Sequence, residues 1–263
     1  MSKRKLRVGI IGSGGISRIH FTGWQKLPDC EVVACMDVNF EAAVSRAREF
    51  DVPDAYKTAS PLFKRDDIDV IDICAPNRFH KKYAVPALKA GKHVLSEKPL
   101  ALTPKEVDAM IAASEAGGAK LMCAQHQRFA DNSRALKQYL RDNPIGEVYY
   151  ARAWYHRRRL LPARPGFIYH EQSGGGCCID VGVHILDLAL HLMDQFEPVS
   201  VSGISVNKLS KRPEVFSEWG GRDYDKKGVD VEDFAGGLVR FADGTALNLE
   251  CSFMLNMKPH AEQ

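Results

Sequence analysis

A lysine, an aspartate and a histidine of this sequence have side chains suited to moving a proton at a bound oxygen atom. Histidine titrates near neutral pH and is the usual general base in proteins. Asp180 and His184 are four residues apart in a helical pattern, so they share one helix face and can converge on one ligand. Lys98 follows a predicted strand and can stabilise negative charge on the same oxygen. With a hydride acceptor, these three predicted catalytic residues would oxidise an alcohol.

Each of these side chains also has an ordinary structural explanation. Asp180 could be an acidic residue that stabilises the N-terminus of its helix. His184 could be a core histidine with satisfied hydrogen bonds. The presence of both beside Lys98 in one chain favours the chemical interpretation.

A glycine-rich turn near the N-terminus predicts a dinucleotide site. It follows a predicted strand and opens a predicted helix, which is the required context for this motif. Gly12 allows the tight turn, Gly14 lets the backbone approach a pyrophosphate, and the helix start supplies N–H groups. Ser17 replaces the usual glycine or alanine. We expect cofactor contacts from Gly12, Ser13, Gly14, Gly15 and Ile16.

Asp37 ends the second predicted strand, 20 residues beyond Ser17. An acidic side chain at this place accepts hydrogen bonds from the adenosine ribose hydroxyls. Because a carboxylate repels a 2′-phosphate and no arginine follows closely, NAD is favoured over NADP. In the alternative interpretation the glycines form only a turn, and Asp37 caps the helix that begins near Phe40.

Two more segments with polar side chains follow predicted strands, at residues 75–80 and 96–100. Ligands of open parallel sheets bind at the carboxyl ends of the strands, so both segments should face the crevice of the glycine turn. Further cofactor contacts are therefore expected from Ala75, Asn77, His80, Glu97 and Lys98.

The elements that carry these residues change character along the chain. Up to about residue 125, short apolar runs alternate with helical patterns, which indicates βαβ units and a parallel sheet. Beyond that point, strand-like runs dominate, and Asp243-Gly244 marks a hairpin. The fold class predicted is α/β: an N-terminal Rossmann sheet, then a C-terminal α/β domain with an open, mostly antiparallel sheet.

Composition limits the class of protein. The net charge of +3 is too small to predict a nucleic-acid partner. Seven cysteines without a C-x-x-C spacing indicate a reducing compartment. No signal-peptide segment or membrane-spanning run is expected, so we predict a cytoplasmic protein that does not bind membranes. His156 and His170 have no metal-ligand spacing, and no metal site is predicted.

These motifs together resemble the Gfo/Idh/MocA oxidoreductase family, which includes glucose-fructose oxidoreductase and inositol dehydrogenases. The resemblance runs from Arg7 to about Phe253. It rests on the glycine turn, Pro76-Asn77 with His80, Glu97-Lys98-Pro99, and Asp180 with Gly182 and His184.

The resemblance implies a nucleotide-binding Rossmann domain at residues 1–126 and a substrate-binding and oligomerisation domain at residues 127–263. It also implies a sugar or polyol substrate. Lys98 would orient substrate and cofactor, Asp180 would hold the substrate, and His184 would be the acid/base. Family members usually continue for several more strands, so we expect this sheet to lack part of its width. A homo-oligomer through the C-terminal sheet is expected.

Two additional side chains are expected to contact the substrate, along with Asp180 and His184. His126 follows the last Rossmann strand and could reach substrate or nicotinamide, although a structural role at the hinge fits equally well. Arg157 lies in an arginine-rich loop, and arginine suits a sugar acid or phosphorylated polyol. The loop could instead be solvated or face another subunit.

The leading functional prediction is an NAD-dependent oxidoreductase that transfers hydride to or from a sugar or polyol. A second enzyme class uses NAD transiently to oxidise a sugar hydroxyl, eliminate a glycosidic bond and return the hydride. A third possibility is a non-catalytic nucleotide-binding sugar sensor. The set of Lys98, Asp180 and His184 argues against a sensor, which has no chemical need for it.

Overall fold

The computed structural model describes residues 4–143, 145–214, 217 and 224–258. The chain divides into a first unit, residues 1–124, and a second unit, residues 125–263. The expected boundary lay two residues further on, after residue 126. Each unit has its own sheet and its own buried cores.

The first unit is a six-stranded parallel sheet with helices between its strands. The strand order is β3-β2-β1-β4-β5-β6, which is the Rossmann order predicted by the βαβ pattern. The elements are β1 (Leu6–Ile11), α1 (Ser17–Gln25), β2 (Cys30–Met36), α2 (Phe40–Glu49), β3 (Asp54–Tyr56), α3 (Ser60–Lys64), β4 (Val70–Ile73), α4 (His80–Lys89), β5 (His93–Ser96), α5 (Pro104–Gly117) and β6 (Leu121–Cys123).

Local sequence signals account for several helix boundaries of this unit. The Thr103 hydroxyl accepts a hydrogen bond from the Glu106 N–H at 3.3 Å, and Glu106 reaches back to the Leu102 N–H at 3.2 Å. These bonds form a capping box whose second bond is shifted by one residue. Pro86 lies inside α4, which begins only at His80, after a 3₁₀ turn.

The central strands of the first sheet are buried on both faces. Ile10 and Ile11 of β1 point to opposite faces, and both are at most 1% exposed. One face packs against α1 and α2, where Phe21 is buried, and the other packs against α4 and α5, where Leu88 and Met110 are buried. Both faces are therefore closed, and ligands have access at the strand ends.

The second unit is built on a four-stranded mixed sheet in the order β7-β10-β9-β8. Two of its pairings are antiparallel and β7–β10 is parallel, as expected for a mostly antiparallel sheet. Its elements are α6 (Asp131–Asp142), β7 (Tyr150–His156), α7 (Pro165–Ile168), α8 (His170–Ser173), α9 (Val183–Met193), β8 (Pro198–Val206), β9 (Phe234–Phe241) and β10 (Ala246–Ser252).

Helix α9 covers one face of the second sheet. Apolar side chains along it pack on Ala153, Phe241, Leu247 and Leu249. Within the described residues, the stretch 170–193 is long and apolar enough to cross a membrane by length and composition, a test that core helices also pass. The packing on the sheet partly buries five apolar side chains of α9, which are Ile185, Leu186, Ala189, Leu190 and Met193. The expectation that the protein does not bind membranes stays a prediction.

Strand β8 forms one edge of this sheet and is exposed along most of its length. Val199, Val201 and Ile204 are each more than 60% exposed. An edge of this kind offers unpaired backbone groups together with apolar surface.

Candidate functional site

The glycine turn connects β1 to α1 in a conformation that needs glycine at its first position. Gly12 has a φ of +102°, and a Cβ atom there would lie 2.6 Å from the carbonyl oxygen of Cys74. Around Gly14 and Gly15, none of the described residues comes within 4 Å of such an added atom. The turn is therefore tight at its base and open at its tip, where a phosphate group would approach.

Serine at the third motif position is explained by a local bond. The Ser17 hydroxyl donates to the Gly14 carbonyl oxygen at 2.7 Å, and Ser17 is completely buried. The side chain thus closes the turn that a smaller residue would leave open. The nearby Ser13 hydroxyl is buried and has no hydrogen-bond partner among the described residues. An orphaned hydroxyl in this turn fits a ligand with acceptor oxygens.

Asp37 supports the glycine turn directly. Its carboxylate accepts hydrogen bonds from the Ser13 N–H at 2.7 Å and from the Asn39 N–H at 2.9 Å. The cap of α2 is Asn39, whose side chain accepts from the Ala42 N–H. The alternative in which Asp37 serves as this cap is therefore wrong. Asp37 stands at the end of β2 beside the turn, as a ribose-binding acid would.

The two other strand-end segments are tied together by His80. One ring nitrogen of His80 lies 2.8 Å from the Ala75 carbonyl oxygen and the other 2.7 Å from that of Pro99. The ring is completely buried, and burial lowers its pKa. Because its nitrogens already face protein carbonyls, His80 positions residues 75–77 and 97–99. The direct cofactor contact expected of it stays a prediction.

A second histidine of the first unit, His20, was missed in the sequence. Its ring lies between Asp72, at 2.9 Å from Nδ1, and Glu97, at 2.9 Å from Nε2. The other Glu97 oxygen accepts from the Lys98 N–H at 3.0 Å. Burial lowers the pKa of His20, but hydrogen bonds to Asp72, Cys74 and Glu97 outweigh it and raise the pKa to about 12. Asp72 inside an apolar strand was the signal, because a buried carboxylate needs a partner.

The same cluster contains the one group of potential metal ligands found in the described part of the chain. Ligand atoms of His20, Asp72 and Cys74 lie within 4.8 Å of one another. Both imidazole nitrogens are already in hydrogen-bonding contact with carboxylates, so the internal bonds account for the cluster.

In the second unit, Asp180 lies in a single π-helical turn, Cys178–Gly182, which continues directly into α9. Such turns insert one residue into a helix and are common at functional sites. Glu232 fixes the entry to this turn, because its carboxylate accepts from the N–H groups of Gly176 at 2.8 Å and Cys178 at 2.9 Å. Asp180 is thus positioned by a rigid helix entry.

His184 is the second residue of α9 and contacts His126 edge to face, with ring centroids 4.8 Å apart. His126 lies in a 3₁₀ turn that also contains Arg128. Arg128 Nε donates to Asp187 of α9 at 2.6 Å, and this bond attaches the 3₁₀ turn to the helix. The structure therefore brings two predicted substrate residues, His126 and His184, into direct contact.

Arg157 lies beside Asp180, with a nitrogen-to-oxygen distance of 3.6 Å, and over the ring of Tyr155. The Arg158 side chain turns elsewhere and donates to the Met257 carbonyl oxygen. His126, Arg157, Asp180 and His184 are thus linked in pairs within one unit. A basic, an acidic and two titratable side chains together can bind hydroxyl groups and move a proton.

Comparison with known proteins matches both units to one family. Residues 6–125 match the oxidoreductase family with an NAD-binding Rossmann fold, and residues 133–262 match the GFO/IDH/MocA C-terminal domain. The chain is 32% identical over 261 residues to a D-glucoside 3-dehydrogenase of Escherichia coli (strain K12), covering 98% of this chain and 73% of that protein. It is 27% identical to the levoglucosan dehydrogenase of Pseudarthrobacter phenanthrenivorans, covering 95% and 68%.

Solved structures agree with this assignment. A levoglucosan dehydrogenase in complex with NADH and levoglucosan superposes with a TM-score of 0.81 at 26% identity, over 96% of this chain and 68% of that one. An aldose-aldose oxidoreductase from Caulobacter crescentus, complexed with glycerol, gives 0.82 at 26% identity, over 96% and 72%. The chain thus spans about seven-tenths of the length of these relatives.

Proposed function

The chain belongs to the Gfo/Idh/MocA family of NAD-binding oxidoreductases, and from this premise we propose that it oxidises one ring hydroxyl of a neutral hexose or glucoside. It is a dehydrogenase or reductase of CH–OH groups. The observation that carries the substrate proposal is the presence in the second unit of two contacting pairs, His126 with His184 and Arg157 with Asp180. A relative that matches 98% of this chain is a D-glucoside 3-dehydrogenase.

The roles follow from the chemistry of each side chain. His184 takes the hydroxyl proton as the carbon loses hydride, because an imidazole nitrogen is the usual proton acceptor of general base catalysis. Asp180 accepts hydrogen bonds from the substrate, and Arg157 lies 3.6 Å from its carboxylate. Lys98 donates to the reacting oxygen and stabilises its developing negative charge. NAD, when bound, supplies the hydride acceptor.

The residues of the first unit fit NAD. The open tip of the glycine turn admits the pyrophosphate, and the buried Ser13 hydroxyl supplies a donor beside it. Asp37 is placed to accept hydrogen bonds from ribose hydroxyls, and its negative charge disfavours the 2′-phosphate of NADP. We therefore propose NAD as the preferred cofactor.

Arg157 also bears on the charge of the substrate. Its guanidinium lies 3.6 Å from the Asp180 carboxylate, which would repel the carboxylate or phosphate of an anionic substrate. This supports a neutral sugar rather than a sugar acid or phosphorylated polyol. We expect Arg157→Lys to raise the Michaelis constant for neutral sugars.

The decisive experiment follows nucleotide reduction by purified protein with NAD or NADP and a panel of sugars, glucosides, polyols and sugar acids. His184→Asn is expected to lower kcat by about 10²–10⁴-fold with NADH affinity unchanged. His191→Asn, on the same helix, is the matched control and should keep wild-type kcat. Release of the aglycone without net nucleotide reduction would instead identify an oxidation–elimination glycosidase. Nucleotide binding without turnover of any sugar would identify a sensor.

We further propose that the protein is a cytoplasmic homo-oligomer. All seven cysteines are free, which supports a reducing compartment. The sheet face opposite α9 carries Tyr150 and Trp154, which are 50% and 42% exposed. Exposed aromatic side chains on a flat sheet are typical of a surface that packs against a second copy.

A further inference from the structure

The buried carboxylate of Asp72 is the starting point. Asp72 lies in the middle of β4 between Ile71 and Ile73, and all three residues are completely buried. Two side chains of α1 reach it: His20 Nδ1 at 2.9 Å and Trp24 Nε1, which donates at 2.6 Å. A charge in a sheet core is tolerated only when it is paired in this way.

The other side of the same imidazole contacts a second carboxylate. His20 Nε2 lies 2.9 Å from Glu97, a residue that is only 8% exposed at the end of β5. A nitrogen that faces a carboxylate oxygen at this distance donates a proton to it. Both nitrogens of His20 face carboxylates, and a doubly protonated ring, with one positive charge between two negative ones, satisfies both contacts.

The charged side chains of Asp72, His20 and Glu97 connect to Lys98, a predicted catalytic residue. The remaining Glu97 oxygen accepts from the backbone N–H of Lys98 at 3.0 Å. Asp72, His20, Glu97 and the Lys98 backbone therefore form one continuous hydrogen-bonded row, which runs from the sheet core to the loop after β5. None of these contacts involves the glycine turn itself, although α1 begins directly after it.

We propose that His20 is a positioning residue of the enzyme, whose imidazolium holds Glu97 and thereby fixes the loop that presents Lys98. The proposal rests on the proposed function, in that Lys98 is assigned a role in the reaction. His20 contacts no substrate in this scheme and acts only through Glu97.

Removal of the imidazolium has a specific electrostatic consequence. Asp72 and Glu97 would be left as two buried carboxylates without the cation between them, and Glu97 would tend to take up a proton. Burial raises the pKa of Glu97, but the hydrogen bond to His20, the charges of His20 and Lys98 and the Lys98 N–H together outweigh it and lower that pKa. A protonated Glu97 is a weaker acceptor for the Lys98 N–H, so the loop would lose its fixed conformation.

The test compares His20→Gln with Trp24→Phe. Glutamine can donate to one carboxylate but carries no charge, whereas phenylalanine removes the other donor to Asp72 and leaves the imidazolium in place. We measure Tm, the NADH dissociation constant, kcat and KM for each variant. His20→Gln should lower kcat by about tenfold or more, whereas Trp24→Phe should lower Tm and keep kcat. Wild-type kcat in folded His20→Gln would overturn the proposal.

A second measurement does not depend on folding of the variant or on turnover. Nitrogen chemical shifts of His20 in the wild-type protein should show both ring nitrogens protonated from about pH 7 to 9, well above the usual histidine pKa. A neutral His20 ring at pH 8 would overturn the proposal.

The design also separates this inference from the proposed function. If the wild-type protein binds NADH and oxidises no sugar, the proposed function fails. The His20 proposal is then decided by the NADH dissociation constant, which should rise about tenfold in His20→Gln because Glu97 and Lys98 are predicted cofactor contacts. An unchanged constant would contradict it.

Discussion

The Asp37 carboxylate forms hydrogen bonds with two segments of the first unit, the glycine turn and the start of α2. It holds the Ser13 N–H of the glycine turn and the Asn39 N–H before α2. A carboxylate has about four acceptor positions, so it retains capacity for two ribose hydroxyls. The same side chain can therefore shape the turn and select the cofactor.

Asp37→Ala is expected to raise the NADH dissociation constant by about tenfold or more, since a hydrogen bond to a charged group contributes roughly 1.5–3 kcal/mol. The affinity for NADPH should fall less, because the substitution also removes the repulsion between the Asp37 carboxylate and the 2′-phosphate of NADPH. Asn39→Ala, which removes only the cap of α2, is the control and should affect both cofactors equally. Fluorescence titration measures the dissociation constants of NADH and NADPH for the wild type and for each variant. Equal losses of NADH and NADPH in Asp37→Ala would contradict the proposed preference for NAD.

The charge on His20 predicts how stability depends on pH. Burial lowers its pKa, but hydrogen bonds to Asp72, Cys74 and Glu97 raise the folded-state value from 6.5 to about 12. The folded protein therefore keeps a proton that the unfolded chain releases above pH 6.5. This stabilisation is complete below pH 6.5 and declines as the pH rises toward 12, by at most about 1.4 kcal/mol per pH unit.

Denaturant unfolding of wild type and His20→Gln between about pH 7 and 9 measures this effect. The difference between their free energies of unfolding should shrink as the pH rises, because only the wild type loses the contribution of the imidazolium. A difference that stays constant over this range would show that His20 is not protonated in the folded state.

The sequence predicted the residues that occur in motifs and missed those defined by the fold. Gly12, Asp37 and Lys98 stand at strand ends, which an apolar run followed by a turn identifies. His20 is separated from Asp72 by 52 residues and from Glu97 by 77. Only the pairing of β4 with β1 and β5 and the packing of α1 bring these three together, so no local pattern could join them.

Among the helices, α9 is fixed in place by the contacts of the residues that precede it. Gly176 packs so closely on Glu232 that an added Cβ atom would lie 2.0 Å from the Glu232 carbonyl oxygen. The Glu232 carboxylate also accepts hydrogen bonds from the N–H groups of Gly176 and Cys178. Backbone and side chain of one residue thus set the start of the turn that carries Asp180.

Gly176→Ala is therefore expected to displace the backbone that leads into the π-helical turn of Asp180. Overpacking of this kind costs about 1–3 kcal/mol of stability, and a shift of about 1 Å at a reacting group can lower kcat by roughly 100-fold. Gly166→Ala in α7 is the matched control, because none of the described residues lies within 4 Å of its added atom. Thermal unfolding and steady-state kinetics measure both variants. Wild-type kcat in Gly176→Ala would show that Asp180 does not depend on this contact.

At the scale of elements, most strands were predictable and their pairing was not. Apolar runs identified β1, β2, β9 and β10 to within about a residue, because buried strands and their turns leave local signals. The parallel pairing of β7 with β10 joins residues almost one hundred positions apart. The π-helical turn was also missed, since one inserted residue barely disturbs a helical pattern.

Over the whole molecule, the exposed face of the second sheet has the character of an interface. In β7, Ala151 and Ala153 point toward α9, so Tyr150, Arg152 and Trp154 alternate onto the opposite face. Arg152 lies over the Trp154 ring and near Glu250, which leaves a flat surface of aromatic groups with paired charges.

Tyr150→Glu combined with Trp154→Glu is expected to dissociate the proposed homo-oligomer, because two carboxylates would face their symmetry copies in a desolvated contact. The control is Tyr139→Glu, which changes an exposed aromatic residue of α6 outside the sheet. Light scattering coupled to size exclusion gives the masses. A monomeric wild type, or an unchanged mass in the double variant, would disprove this interface.

The π-helical turn at Cys178–Gly182 also restricts how the chain length can vary. Loss of one residue there would convert it to a regular α-turn and rotate everything that follows by about 100° about the helix axis. Either Ile185 and Leu186 would leave the sheet, or Asp180 would turn away from His184. Insertions and deletions between Gly176 and Met193 should therefore be selected against far more strongly than substitutions at the same positions.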